Sequence, residues 1–308
     1  MKPKRRAMVL AASYVLCAGP FCARIVLADA SANSVTAAAA GPTAGASQGR
    51  RVRSNDPNLR SSSVLVLDQT HSSVLYSRRA DVAMPIASIT KLMTALVVLG
   101  AAQPLDERIE ITRDDLRGGK GSHSRLAAGT ALTRGELIHL ALMSSENRAA
   151  HALGRSFPGG VPAFVQAMNA QATLLGMIHT RFVDPAGLSS ENVASSEDLS
   201  KLVIAASENP TIREYSTDKA FAVRAGRHTI DFRNTDSLVS NPAWNIIVQK
   251  TGYITEAGKC LVMQAVIEGR TVVIVLLDSF GKYTRVADAK RIKKWVEATL
   301  NEGLLHEG

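Results

Sequence analysis

Trp244-Asn245-Ile246-Ile247-Val248-Gln249-Lys250-Thr251-Gly252 joins an apolar, strand-forming run to a Lys-Thr-Gly tripeptide that occurs once in the 308 residues. Successive side chains on a strand alternate between faces, so Lys250 and Gly252 share a side. Gly252 leaves open the surface a β-carbon would cover, and Lys250 offers a cation beside it. That pair suits a ligand lying along the strand and carrying a carboxylate. An ordinary strand end with a turn glycine has the same local sequence, so the weight falls on what accompanies it.

Outward from this strand, Cys260 to Ile267 and Thr271 to Leu277 repeat the strand pattern. From Tyr283 onward, Val286, Ala289, Ile292, Val296 and Leu300 fall on one face of an amphipathic helix. Upstream, Ala220 to Arg224 and Thr229 to Phe232 are also strand-like. The middle of the chain is helical. Thr133-x-x-Glu136 is a capping box ahead of Leu137, Leu140, Ala141 and Leu142. Residues 147–155 and 161–175 give further helical patterns, and 197–207 another that stops before Pro210. Ser88 opens a helix through Leu92, Ala95, Leu96 and Leu99. The folded part begins at 61 with a hairpin, Ser63 to Leu67 and Ser73 to Tyr76. Strands at both ends with helices between them predict a mixed α/β (α+β) fold. One antiparallel sheet is formed by both chain ends and flanked by helices, with a helical middle subdomain.

The start of the chain is set apart from that domain. Lys2, Lys4, Arg5 and Arg6 form a basic region, Ala7 to Phe21 an apolar one, and Ala28-Asp29-Ala30 a small-x-small cleavage site. This pattern predicts a signal peptide over 1–30. A retained anchor is the alternative, although Pro20 and Arg24 interrupt the run and leave it short for a membrane span. Residues 31–60, rich in Ala, Ser, Gly and Thr, are expected to be a flexible linker. Export would remove Cys17 and Cys22, so Cys260 could form no intramolecular disulfide. The first 30 residues carry five Lys/Arg and one Asp, which leaves +5 of a formal charge of +9. No basic run alternates with aromatics, which argues against a nucleic-acid partner. The expected location is the periplasm.

Two upstream motifs need sorting from their copies. Ser-x-x-Lys occurs at Ser88/Lys91, Ser216/Lys219 and Ser279/Lys282. Only the first opens a helix, where positions i and i+3 share a face. Ser216 precedes a strand-like run and Ser279 follows one, so neither is expected to meet its lysine. Ser-Glu-Asn occurs at Ser145, Ser190 and Ser207. Ser145 sits between two helices directly after Leu140-Ala141-Leu142-Met143, where a turn can carry polar groups into a cleft. Ser190 lies in a polar loop and Ser207 on a helix tail. Gly118-Gly119-Lys120-Gly121-Ser122 lacks phosphate-loop spacing and reads as a loop. No His or Cys pattern fits a catalytic metal, so no metal or cofactor is expected. His139, among apolar neighbours, reads as a packed or surface histidine.

With Ser88-x-x-Lys91, Ser145-x-Asn147 and Lys250-Thr251-Gly252 in that order, the chain resembles the low-molecular-mass penicillin-binding proteins. These are the serine D-alanyl-D-alanine carboxypeptidases and endopeptidases, and the resemblance spans about residues 60–300. Phe182 to Leu188 and Phe232-Arg233-Asn234-Thr235 resemble family segments as well. Met143 to Ala150 and Gln249 to Met263 look most like the endopeptidase branch. Many carboxypeptidase relatives continue into a β-rich domain and a membrane-binding tail. Here about twenty residues of final helix remain, which favours the endopeptidase branch and a soluble or peripherally held enzyme with no stable transmembrane anchor once the signal is cleaved.

The resemblance implies a catalytic domain over 61–304 with the DD-peptidase/β-lactamase-like fold, acting on peptidoglycan stem peptides and acylated by β-lactams. It implies Ser88 as nucleophile and Lys91 as its base, with a pKa lowered by partial burial and by the like charge of Lys250. Ser145 would relay a proton to the leaving amine, and Asn147 would hold Lys91 and the substrate. Lys250 and Thr251 would bind substrate beside Gly252, and the backbone N–H groups of Ser88 and Tyr253 would form the oxyanion hole. Class A-like β-lactamases share these motifs but add a deacylating Glu, typically inside Glu-x-x-Leu-Asn, and this chain is expected to lack such a run. A non-catalytic β-lactam or muropeptide sensor on the same scaffold is the other alternative.

Overall fold

Three runs in this sequence, Val64 to Leu67, Leu261 to Ile267 and Val272 to Leu277, are nearly unbroken in apolar residues, as strands covered on both faces require. In the computed structural model, which describes residues 56–117 and 124–301, all three lie inside one sheet. In chain order the elements are β1 (Ser61–Asp68), β2 (Ser73–Arg78), β3 (Met84–Pro85), α1 (Thr90–Gly100), β4 (Arg108–Glu110) and β5 (Ala131–Thr133). There follow α2 (Arg134–Met143), α3 (Asn147–Arg155), α4 (Gly160–Leu174), β6 (Val193–Ala194), α5 (Ser196–Glu208) and α6 (Pro210–Thr217). The last are β7 (Ala220–Ala225), β8 (His228–Arg233), β9 (Asn245–Ile254), β10 (Gly258–Ile267), β11 (Arg270–Ser279) and α7 (Thr284–Asn301).

The main sheet has the order β2-β1-β11-β10-β9 and is antiparallel throughout. The N-terminal hairpin joins the C-terminal strands through β1 and β11, with Ser61 opposite Ser279, so both ends of the domain close one sheet as predicted. One face carries Val64, Val66, Leu261, Met263, Ile274 and Leu276 against Ala289, Ile292 and Val296 of α7. The other carries Leu65, Val262, Val273 and Val275 into a larger core shared with α1 to α5. A sheet sandwiched in this way has apolar residues on both faces of its central strands. The edge strand β9 is left with one side free of a sheet neighbour.

Several elements depart from expectation. Pro210 does not only stop a helix: Asn209 ends α5 and its side chain accepts from Thr211 N and Ile212 N, so Pro210 is the first residue of α6. A proline at that position has no N–H to lose and a backbone angle already set for a helix. Ser216 therefore lies in a helix rather than before a strand. It is fully buried and its hydroxyl donates to Arg213 O, which excludes it as a nucleophile for a different reason. Strands β7 and β8 form a separate two-stranded sheet instead of joining the main one. The capping box on α2 is present, with Glu136 N on Thr133 Oγ1 and Thr133 N on Glu136 Oε2. His139 is buried, stacked between the rings of Tyr215 and Phe221. Of the expected linker, Leu59 already packs against the α7 side of the sheet. The expected signal peptide, residues 31–55 and the Gly118–Ser122 loop lie outside the described residues. Among the described residues no helix is long and apolar enough to cross a membrane.

Candidate active site

Ser88 sits in a one-turn 3-10 segment, Ala87–Ile89, that runs directly into α1. Helical spacing places Lys91 one turn on, and its Nζ lies 2.7 Å from Ser88 Oγ. The same nitrogen lies 2.7 Å from Asn147 Oδ1 and 2.5 Å from the carbonyl of Ala186. Two of these partners can only accept, whereas the serine hydroxyl can also donate. Protonated, Lys91 would donate to all three oxygens. Neutral, it would give its two hydrogens to Asn147 and Ala186 and turn its lone pair to the Ser88 hydroxyl, the state a general base needs. The electrostatics agree: Lys91 is wholly buried, and loss of solvation lowers its pKa to about 7 against the opposing pull of Asp184 and Glu146. Burial is thus complete rather than partial. The like-charge effect expected from Lys250 falls instead on Lys250 itself.

The carbonyl that receives Lys91 is built by a loop the sequence did not single out for this purpose. Asp184 Oδ1 accepts from the backbone N–H groups of Ala186, Gly187 and Leu188, and Oδ2 from Ser189 N and Asn192 Nδ2. This turn aims Ala186 O at Lys91 and Pro185 O at Thr94 Oγ1, 2.6 Å away. Gly187 is required here: its φ is +76°, and a β-carbon would lie 2.0 Å from the carbonyl oxygen of Ala87. Ala87 itself has a φ of 48° and Ser145 one of 60°. For residues with a β-carbon that region costs about 1–2 kcal/mol, and such strain concentrates at functional sites.

Ser145 lies in the α2–α3 turn, and Asn147 begins α3. The structure brings Asn147 to Lys91 but gives the Ser145 hydroxyl no protein hydrogen-bond partner among the described residues. The turn is tied to the region ahead of β9 by Thr235, whose N–H donates to Met143 O at 3.1 Å and whose Oγ1 lies 2.6 Å from Thr251 Oγ1. The Lys-Thr-Gly tripeptide falls inside β9 rather than at its end. Lys250 is fully buried and donates to Thr251 O at 2.9 Å. Burial first, then the positive charges of Lys91 and Arg285, push its pKa well below that of a free lysine, with Asp236 opposing. Gly252 packs flush against the turn that carries Ser88: a β-carbon there would stand 2.8 Å from Ile86 O and 3.3 Å from Ser88 N. Tyr253 follows with its side chain mostly exposed.

Behind the strand, Arg285 of α7 donates to Gly252 O at 2.9 Å and to Cys260 O at 3.3 Å. Asp236 is buried beneath it, with one oxygen on Leu238 N and a pKa raised by burial. Neither residue belongs to a short motif, so only the folded chain reveals them. A Glu-x-x-Leu-Asn run, expected to be absent, does occur at Glu297-Ala298-Thr299-Leu300-Asn301. It lies at the far end of α7, and Glu297 is paired with Lys293 along that helix. At about 1.5 Å rise per residue, the 12 residues from Arg285 to Glu297 remove it by roughly 18 Å from the end that touches Gly252.

The fold is that of the DD-peptidases: the DD-transpeptidase of Streptomyces K15 superposes with a TM-score of 0.74 at 28% identity, over 79% of this chain and 98% of that one. The chain belongs to the D-alanyl-D-alanine carboxypeptidase family, whose model it matches over residues 50–281. A D-alanyl-D-alanine endopeptidase of Pseudomonas aeruginosa is 49% identical over 241 residues, 78% of each chain. Another, from Escherichia coli strain K12, is 44% identical over 258 residues, 83% of each.

Proposed function

We propose that this serine DD-peptidase acts in the periplasm, after loss of residues 1–30, and cuts the D-Ala cross-links of peptidoglycan as well as D-Ala-D-Ala termini. The observation that carries the catalytic assignment is the environment of Lys91. Its buried nitrogen has two acceptor-only partners and the Ser88 hydroxyl, and a pKa of about 7. Ser88 gives its proton to Lys91 as Oγ attacks the penultimate D-Ala carbonyl. The N–H groups of Ser88 and Tyr253 receive the oxyanion that forms. Collapse expels the amine, which takes the proton from Lys91 through Ser145, and water later hydrolyses the ester with Lys91 again as base. Lys250 and Thr251 hold the carboxylate of the departing residue, and an arriving anion favours the charged form of the buried Lys250.

β-Lactams acylate the same serine and are released slowly, since the one Glu-x-x-Leu-Asn run stands far from the site. The two endopeptidases at 44% and 49% identity favour cross-links as the main substrate. Digestion of cross-linked sacculi by purified protein, with Ser88→Ala as the inert control, tests this. Dimeric muropeptides should fall and monomers rise at least as fast as D-Ala is released from a free pentapeptide. Rapid release of D-Ala with dimers intact would make the enzyme a carboxypeptidase only.

A further inference from the structure

Beside the catalytic cleft lies a second cavity, of about 280 Å³, lined by Arg125, Ser144, Glu146, Asp231, Phe232 and Arg233. Its walls are continuous with the site on two sides. Ser144 and Glu146 flank Ser145. Arg233 stands two residues before Thr235, which is bonded to Met143 O and to Thr251 Oγ1. The cavity therefore adjoins the Ser145–Thr251 end of the cleft, the end from which the amine departs under the function proposed above.

We infer that this cavity binds the leaving strand of a cross-link, a carboxylate-bearing stem peptide, and that Arg125 and Arg233 recognise its carboxylate groups. The inference rests on the endopeptidase reading. The two substrates differ at this end of the cleft. A pentapeptide releases a single D-Ala, which under that reading needs no contact beyond Thr251 and Ser145. A cross-link releases a whole second stem peptide, which must continue past them and brings further carboxylates.

The arginines are arranged for that load. The Arg125 guanidinium lies 4.1 Å from the centre of the Phe232 ring and donates through Nη1 to the carbonyl of Asp231. Stacking fixes its plane and leaves its remaining N–H groups for an anion, in the fork that matches a carboxylate. Arg233 is exposed and has no ion-pair partner among the described residues. The carboxylates of Asp231 and Glu146 on the same walls can accept N–H groups of the peptide; one Glu146 oxygen already caps α3 at Arg148 N. The mixed lining suits a peptide that presents both carboxylates and amides.

The test uses the full-length protein with Arg125→Ala, Arg233→Ala and, as a charge control on the neighbouring strand, Arg224→Ala. Three rates are measured for each: acylation by a fluorescent penicillin, release of D-Ala from a pentapeptide, and cleavage of a purified cross-linked muropeptide dimer. Loss of a hydrogen bond to a charged group predicts a fall of about tenfold or more in kcat/KM for the dimer with either cavity variant. The penicillin and pentapeptide rates should stay within about twofold of wild type, as should all three rates of Arg224→Ala. Dimer cleavage that is unchanged, or that falls in parallel with the other two rates, overturns the inference while leaving the endopeptidase reading intact. A wild-type enzyme that leaves dimers uncut overturns both.

Discussion

Adding a single methyl group at Gly252 should separate the two halves of the proposed oxyanion hole. In Gly252→Ala the new carbon would stand 2.8 Å from Ile86 O, 3.2 Å from Ala87 Cβ and 3.3 Å from Ser88 N. The closest obstacle is backbone, in the turn that carries Ser88, so no side chain can swing aside. Relief to ordinary contact needs a retreat of about half an ångström by that turn or by β9, and either moves Ser88 N away from Tyr253 N. Overpacking of this kind costs about 1–3 kcal/mol of stability. A misplacement near 1 Å costs about 10²-fold in rate, and loss of one oxyanion donor about 10²–10³-fold. A shift of half that size therefore predicts a fall of roughly ten- to a hundredfold in acylation. The assay is the second-order rate of labelling by fluorescent penicillin, beside a thermal melt. Gly226→Ala supplies the control: its φ is +63° and its β-carbon would meet nothing within 4 Å. It should lose about 1 kcal/mol of stability through backbone strain with labelling unchanged. Gly252→Ala labelled within threefold of wild type, with an unchanged melting point, would refute the close-packing argument.

Acylation should also report the state of Lys91. With its pKa at about 7 and the neutral amine as base, the rate should climb up to tenfold per pH unit below 7 and level off above it. A rate independent of pH between 5 and 8 would contradict the assignment. The sign for stability is the same: between about 7 and 10.5 the unfolded lysine holds a proton the folded one has lost, so this group's contribution to stability rises with pH across that window. Asp184→Ala should leave the N–H groups of Ala186, Gly187, Leu188 and Ser189 without their acceptor. A loss of roughly 2–4 kcal/mol in urea unfolding is expected. Labelling should fall at least tenfold as Ala186 O leaves Lys91, and Asp184→Asn should recover part of both. Unaltered labelling would show that the loop does not position the base.

What could be read ahead of the structure divides along physical lines. The pairing of Ser88 with Lys91 was legible because a helix fixes the relation of positions three apart, and the closure of the sheet because strand patterns stand at both ends of the domain with helices between them. Asn147 was placed by the motif and the resemblance it carries, not by a local rule. Ser145 was found as part of a motif, but its bonding could not be, because a turn residue with positive φ obeys no periodic rule. The second role of Pro210 was hidden because one residue both ends and begins a helix. Asp184 and Thr235 lie in segments that the resemblance marks without giving them a role, and Arg285 lies in none; all three act through loops and strands distant in sequence. The Glu-x-x-Leu-Asn run is the reverse case, a motif with no site around it.

The register that sets Ser61 opposite Ser279 also fixes when the enzyme can first exist. Their hydroxyl groups meet at 2.7 Å, and the Ser61 hydroxyl donates to Asp288 of α7 at 2.6 Å. The N-terminal hairpin reaches the catalytic edge strand only through β11 and β10. A chain delivered N-terminus first, by a ribosome or through a membrane pore, presents Ser88 and Lys91 long before the platform that orients them. Contacts that span more than 200 residues form late. A chain that has not yet delivered β11 therefore lacks an assembled site, and any truncation that removes β11 disconnects the two ends of the site instead of trimming a tail.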